Sequence, residues 1–262
     1  MNMPDTSPLL ITREGGVVTL VLNRPSAMNA LDVPTANAFL AACQSLKGDP
    51  QVRVVVIRGE GKAFGVGGDL SALQEGSGTT PAGLIDPLHE GVKILAALDA
   101  PVIASLHGVV AGGSLSLSMA CDLAIAAEGT RFNLAYANVA ANCDVSGSWN
   151  LPRLVGLRNA MQIALLSDTF DAAEALRLGL VNRVVPADKL HEETQALANR
   201  LAAGPTLAYG RLKRLLRQSF ETSLATQLDA ERDNFTASTK TADFKEALTA
   251  FFAKRKPFFS GK

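Results

Sequence analysis

Two stretches of this chain place glycines where an apolar run gives way to a helical pattern. Residues 59–68 follow the β-branched run 52–57, and residues 107–113 follow the apolar run 101–106. The first amides of a helix are unpaired and lie at the positive end of its dipole, so such junctions favour an anion. Glycine removes the Cβ that would hold an oxygen away from the backbone. Two of these loops side by side could direct one N–H each at a single oxygen, the arrangement of an oxyanion hole. Either loop alone is better explained by turns and close helix–strand packing.

The elements that must position those loops follow from periodicity. Val17–Leu22 reads as a buried strand closed by Asn23-Arg24-Pro25, and Asp32 caps a helix running to Leu46. A strand is expected at 52–57, a helix opened by Asp69 and running through Leu73, and a helix over 84–98 with Leu88, Val92, Leu95 and Leu98 at helical spacing. Residues 76–83 have linker composition. A strand at 101–106, a small-residue helix at 114–120 and a strand at 122–126 complete an alternation that predicts an α/β core. After Pro186 four helices are expected (187–203, 205–220, 224–235 and 242–253) with no strand between them. The division is therefore set at residues 1–203 for an α/β core carrying the active site and 204–262 for a helical region.

Composition narrows the function classes. The chain has 262 residues, with 25 Lys and Arg against 25 Asp and Glu, so the formal net charge is zero. A neutral chain without a basic stripe is a poor ligand for nucleic acid or an anionic membrane. The weakly polar stretch 107–127 holds Gly108, Gly112, Gly113 and Asp122, which argues against a membrane span. Cys43, Cys121 and Cys143 form no CxxC pair, so neither a disulfide framework nor a metal site is expected. Met-Asn-Met-Pro-Asp-Thr at the start lacks the pattern of a secretory signal, and a cytoplasmic protein is expected.

The loop residues carry a more specific signal. Ala63-Phe64-Gly65-Val66-Gly67-Gly68-Asp69-Leu70, and Ala100-Pro101-Val102-Ile103-Ala104 through Gly112-Gly113 to Ala120-Cys121-Asp122, resemble the crotonase superfamily of enoyl-CoA hydratases and isomerases. Leu22-Asn23-Arg24-Pro25, Asn29-Ala30-Leu31, Leu151-Pro152-Arg153-Leu154-Val155-Gly156, Gly179-Leu180-Val181 and Ala253-Lys254-Arg255-Lys256 extend the resemblance nearly end to end. The resemblance implies a spiral of ββα turns with a helical C-terminal trimerisation region, and a homotrimer or a hexamer built as a dimer of trimers. It implies an acyl-CoA substrate whose thioester oxygen lies between the amides of Gly68 and Gly113. No permanently bound cofactor is implied; coenzyme A comes as part of the substrate.

Hydratases of this superfamily use two glutamates to hold water and move its protons. The matching positions here are Ser116 and Tyr136, so simple hydratase chemistry is not expected. Asp144 remains, at a position where the resemblance implies an aspartate working over the acyl carbons of isomerases. Its apolar neighbours Ala140, Ala141 and Val145 are expected to desolvate it and strengthen it as a base. Its bland alternative is the cap of a helix opening near Gly147. Asp86-Pro87-Leu88, Asp144 with the run Gly147-Ser148-Trp149-Asn150 and its Leu-Pro-Arg continuation, and the tail Thr226-Gln227-Leu228-Asp229-Ala230-Glu231-Arg232-Asp233 are most similar to the branch that isomerises ring-epoxide acyl-CoA thioesters. Cys143 stands where a Pro is usual in that branch.

A second reading within the superfamily is an aryl-CoA dehalogenase, with Asp144 as nucleophile, Tyr136 as the flanking aromatic and His89 activating water. A third, of a different class, is a catalytically silent CoA-binding or RNA-binding homologue. His107 and His191 receive no role. For coenzyme A, the resemblance implies contacts from Arg24, Gly65, Val66, Asp69 and Leu70, and contacts from Phe251 and Lys254 across a trimer.

Overall fold

The computed structural model describes residues 7–74 and 78–262. The expectations placed on residues 1–6 and on Gly76 and Ser77 of the linker lie outside the described residues. The chain order begins with β1 (Leu9–Glu14), β2 (Val17–Leu22), α1 (Val33–Leu46), β3 (Val54–Gly59), α2 (Pro81–Ala97) and β4 (Val102–Leu106). It continues with β5 (Val109–Ala111), α3 (Gly112–Ala120), β6 (Leu123–Ala127), β7 (Arg131–Asn133), α4 (Gly147–Val155), α5 (Leu157–Leu166) and β8 (Phe170–Asp171). Then come α6 (Ala172–Leu178), β9 (Arg183–Val185), α7 (Leu190–Ala202), α8 (Thr206–Gln218), α9 (Leu224–Thr239) and α10 (Ala242–Phe252).

The main sheet has the order β1-β2-β3-β4-β6-β9, antiparallel at β1–β2 and parallel elsewhere; a smaller sheet has the order β5-β7-β8. Parallel strands connected by helices are covered on both faces, and their apolar residues divide by parity. Val55 and Ile57 of β3 enter the large core with Phe39 of α1 and Leu88 and Leu95 of α2, whereas Val54 and Val56 face Ala198 of α7. The α/β core expected from the sequence is therefore present, followed by helices.

The differences from expectation have local causes. The third strand starts at Val54 because Val52 is spent in a turn, its N–H donating to Asp49 O at 3.1 Å. The second helix begins at Pro81, capped by Thr80, whose hydroxyl accepts the Gly83 N–H. Asp32 caps α1 as expected, accepting the Thr35 N–H. The segment after Asp69 is a single 3-10 turn, Leu70–Leu73.

Helix α8 is bolted to the core. Lys213 donates to Leu95 O and Ala100 O and pairs with Asp122 at 2.6 Å, and Arg217 takes the other oxygen of Asp122 at 2.8 Å. Gly210 permits the approach, since a Cβ there would lie 1.9 Å from Asp99 Oδ1. Among the described residues, no helix is long and apolar enough to cross a membrane, and no cluster of His, Cys, Asp and Glu could hold a metal.

Candidate active site

The two glycine loops are joined directly. Phe64 N–H donates to His107 O at 2.9 Å, Gly65 N–H to Val109 O at 3.1 Å, and Ala111 N–H returns to Gly65 O at 2.9 Å. Gly65 is packed against Ser114, whose Oγ would lie 2.4 Å from an added Cβ and which accepts the Gly67 N–H at 3.1 Å. Gly67 has φ +94°, and a Cβ there would meet the Gly113 nitrogen at 3.0 Å. The segment at Leu31 forms a third rail: its N–H donates to Gly67 O at 2.7 Å and its carbonyl accepts the Asp69 N–H at 2.8 Å. Between these fixed points lie the amides of Gly68 and Gly113. Neither donates to another backbone group among the described residues, and Gly113 is in the first turn of α3.

Arg24 braces this loop. It donates to Ala30 O at 2.6 Å and to Asp69 Oδ2 at 3.2 Å, and it lies 3.2 Å from Asp32 Oδ2. The Ser71 hydroxyl first, and then the Arg24 guanidinium, hold the Asp69 carboxyl below the ordinary carboxylate range. Arg24 and Asp69, expected side by side as CoA contacts, are thus partners of each other.

Asp144, Tyr136 and Ser116 converge above Gly113. A Cβ on Gly113 would lie 3.4 Å from Asp144 Oδ1 and 3.7 Å from the Tyr136 hydroxyl. Tyr136 donates to Asp144 Oδ1 in a short hydrogen bond, and Ser116 Oγ is 3.1 Å from the Tyr136 oxygen. Gly147 makes room for this, since a Cβ there would lie 2.4 Å from Ser116 Oγ. Burial, and secondly the Asp144 charge, push the Tyr136 hydroxyl well above its ordinary range, so it keeps its proton. The same two causes raise the Cys143 thiol, which stays neutral.

The backbone beyond Asp144 is strained. Val145 and Ser146 have φ +47° and +66°, a left-handed pair with no glycine, and Val145 is buried and β-branched. His89 of α2 holds the turn by accepting the Val145 N–H on Nε2 at 3.1 Å. The helix-cap alternative for Asp144 does not hold: the N-cap of α4 is Ser146, and the Asp144 side chain is engaged with Tyr136. Of the three apolar neighbours expected around Asp144, Val145 is buried whereas Ala140 and Ala141 are exposed, and the group bonded to its carboxylate is the Tyr136 hydroxyl.

The remaining expected site residues divide by position. Gly65 is buried within the joined loops, Val66 is half-buried, and Leu70 is exposed. Phe251, near the end of α10, and Lys254, just beyond it, are exposed, and the single chain does not bring them to the other site residues. His107 Nε2 is 3.0 Å from Gly61 O, on the outer side of the loop, and His191 is exposed on α7. Sequence reasoning missed Ser114 and Leu31 as supports of the glycine loops. Their contacts are made across the fold, and an isolated Ser or Leu carries no signal of them.

A family model described as Enoyl-CoA hydratase/isomerase matches residues 12–262. The 1,2-epoxyphenylacetyl-CoA isomerase of Escherichia coli (strain K12) is 35% identical over 257 residues, 95% of this chain and 97% of that protein. The trans-2-decenoyl-acyl-carrier-protein isomerase of Streptococcus mutans is 33% identical over 262 residues, 98% of this chain and 100% of that protein. The crystal structure of an enoyl-CoA hydratase from Polaromonas sp. JS666 matches with a TM-score of 0.90 at 32% identity, covering 96% of this chain and 99% of that one.

Proposed function

Because this chain belongs to the enoyl-CoA hydratase/isomerase family, we propose that it isomerises an acyl-CoA thioester, either an enoyl-CoA or a ring-epoxide acyl-CoA, through a thioester enolate. The observation that carries this reading is a single carboxylate, Asp144, over Gly113, with hydroxyls at Ser116 and Tyr136 where the family's hydratases are expected to hold glutamates. Asp144 takes a proton from one carbon of the acyl chain and returns it to another. The Gly68 and Gly113 amides hold the oxygen that becomes negative in between, a contribution of about 10²–10³-fold per donor in comparable sites.

The substrate's coenzyme A is held along Arg24, Gly65, Val66, Asp69 and Leu70, and no permanently bound cofactor enters the reaction. Phe251 and Lys254 serve a neighbouring protomer of a trimer or of a dimer of trimers. In support, Leu216, Phe220, Leu224, Phe235, Phe251 and Phe252 of the C-terminal helices and their connections are 63–78% exposed in the single chain. The alternative with Asp144 as nucleophile and His89 activating water draws less support, because the His89 Nε2 lone pair is taken by the Val145 amide.

The test is a panel of acyl-CoA thioesters in which isomerised, hydrated and hydrolysed products are scored separately. Isomer as the dominant product is expected. Hydration of crotonyl-CoA at the rate of an efficient hydratase would overturn the reading, as would release of halide from a halogenated aryl-CoA with an ester trapped on Asp144.

A further inference from the structure

We infer that Ser116 and Tyr136 form a one-way hydrogen-bond chain that positions the Asp144 carboxylate, so that two residues standing in for a pair of acid–base groups act instead through a single base. The inference rests on Asp144 being the base, as proposed above, and adds the means by which it is held.

The direction of the chain follows from proton counting. An ionised carboxylate can only accept, so the single proton of the Tyr136 hydroxyl is spent on Asp144 Oδ1. The tyrosine oxygen is then left as an acceptor, and Ser116 Oγ, 3.1 Å away, must be its donor. Ser116 is fully buried in α3, flanked by Leu115 and Leu117, which are equally buried, so its hydroxyl is anchored to the same helix that carries Gly113. The carboxylate is therefore referenced, through two hydrogen bonds, to the element that presents one of the amides. Gly147 keeps this path open, because any side chain there would displace the Ser116 hydroxyl.

From the other side, the His89 bond to Val145 N–H fixes the turn that delivers Asp144. Two left-handed residues would otherwise relax toward more populated conformations. Oδ1 is committed to Tyr136, and Oδ2 receives no hydrogen bond among the described residues, which leaves it for the substrate. The titratable groups near the carboxylate are Tyr136, Cys143 beside it in the chain and His89 behind the turn; α3 carries no charged residue.

Three variants test the chain on the substrate that the panel identifies. Tyr136→Phe keeps the ring and removes the donor; a misplaced catalytic group of this kind costs up to about 10²-fold. We expect kcat to fall by about that factor at most while KM stays within about twofold. A loss confined to kcat is the mark of a misplaced base, since a general loosening of the site would raise KM as well. Ser116→Ala should give a smaller loss in the same direction, and provides a second reading should Tyr136→Phe fold poorly. Asp144→Asn is the control for the base itself. If Asp144→Asn is inactive while folded Tyr136→Phe and Ser116→Ala keep the kcat of the unaltered protein, or lose activity through KM alone, the positioning chain is wrong and the base stands. If Asp144→Asn remains fully active, the chain falls together with the proposed function.

Discussion

At the scale of single residues, the site depends on what glycine omits. Gly67 has φ +94° and a vacant Cβ position 3.0 Å from the Gly113 nitrogen, so Gly67→Ala imposes both backbone strain and a clash on an amide assigned to the enolate. The left-handed conformation alone costs roughly 1–2 kcal/mol for a residue with a Cβ. Thermal unfolding of Gly67→Ala should show a loss of at least that size, and kcat should fall with it. Wild-type stability and turnover would mean that the loop yields freely and is not a rigid oxyanion site. The glycines were legible in the sequence because their spacing coincides with strand–helix junctions. The partnership of Tyr136 with Asp144 was not. The two lie eight positions apart across a segment with left-handed Ala140 and a 3-10 turn at Ala137–Val139, and no periodicity encodes such a return. The bracing of Asp69 by Arg24 was equally hidden, because the two residues lie 45 positions apart and nothing local encodes their pairing.

At the scale of elements, long apolar runs and capped helices were legible. Val17–Leu22 and the Asp32 cap of α1 lie where the sequence puts them, because six consecutive largely apolar residues and an Asp before a helix each have one favoured use. The strands β5, β7 and β8 were not, since three residues or fewer are too short for a period to register. The docking of α8 was also not legible. Its decisive contacts come from Lys213 and Arg217, which on a helix in sequence look like solvated charges. Lys213 is 9% exposed, and Lys213→Met would leave Asp122 with Arg217 and the Val102 N–H only. Denaturant unfolding should register a loss of about 3 kcal/mol, the lower end for a broken buried pair. A loss below about 1 kcal/mol would show that packing alone holds α8. Glu246 gives a pH-dependent counterpart. It accepts from Arg255 and from the Phe258 N–H, which lower its carboxyl to about 2. Since the folded value lies below the unfolded one, this attachment is complete above the ordinary glutamate range and is lost as pH falls through about 2. The protection factor of the Phe258 amide against hydrogen exchange should fall over that interval; protection that persists to pH 2 would contradict it.

At the scale of the whole molecule, the alternation of strands and helices before a helical end was sufficient to anticipate the fold class. The extent of exposed apolar surface on the C-terminal helices was not visible until those helices had faces. Sedimentation at micromolar concentration should give a trimer or hexamer, and a stable monomer would remove the proposed roles of Phe251 and Lys254. The proposed reaction depends on one carboxylate over two backbone amides, and Asp144→Asn removes that carboxylate alone. The amide keeps the side-chain shape but cannot take up the proton. Isomerisation should fall by about 10²–10⁴-fold, the usual contribution of a general base, while the Kd for the acyl-CoA thioester changes little. An Asp144→Asn protein that isomerises the substrate at the unaltered rate would contradict that dependence.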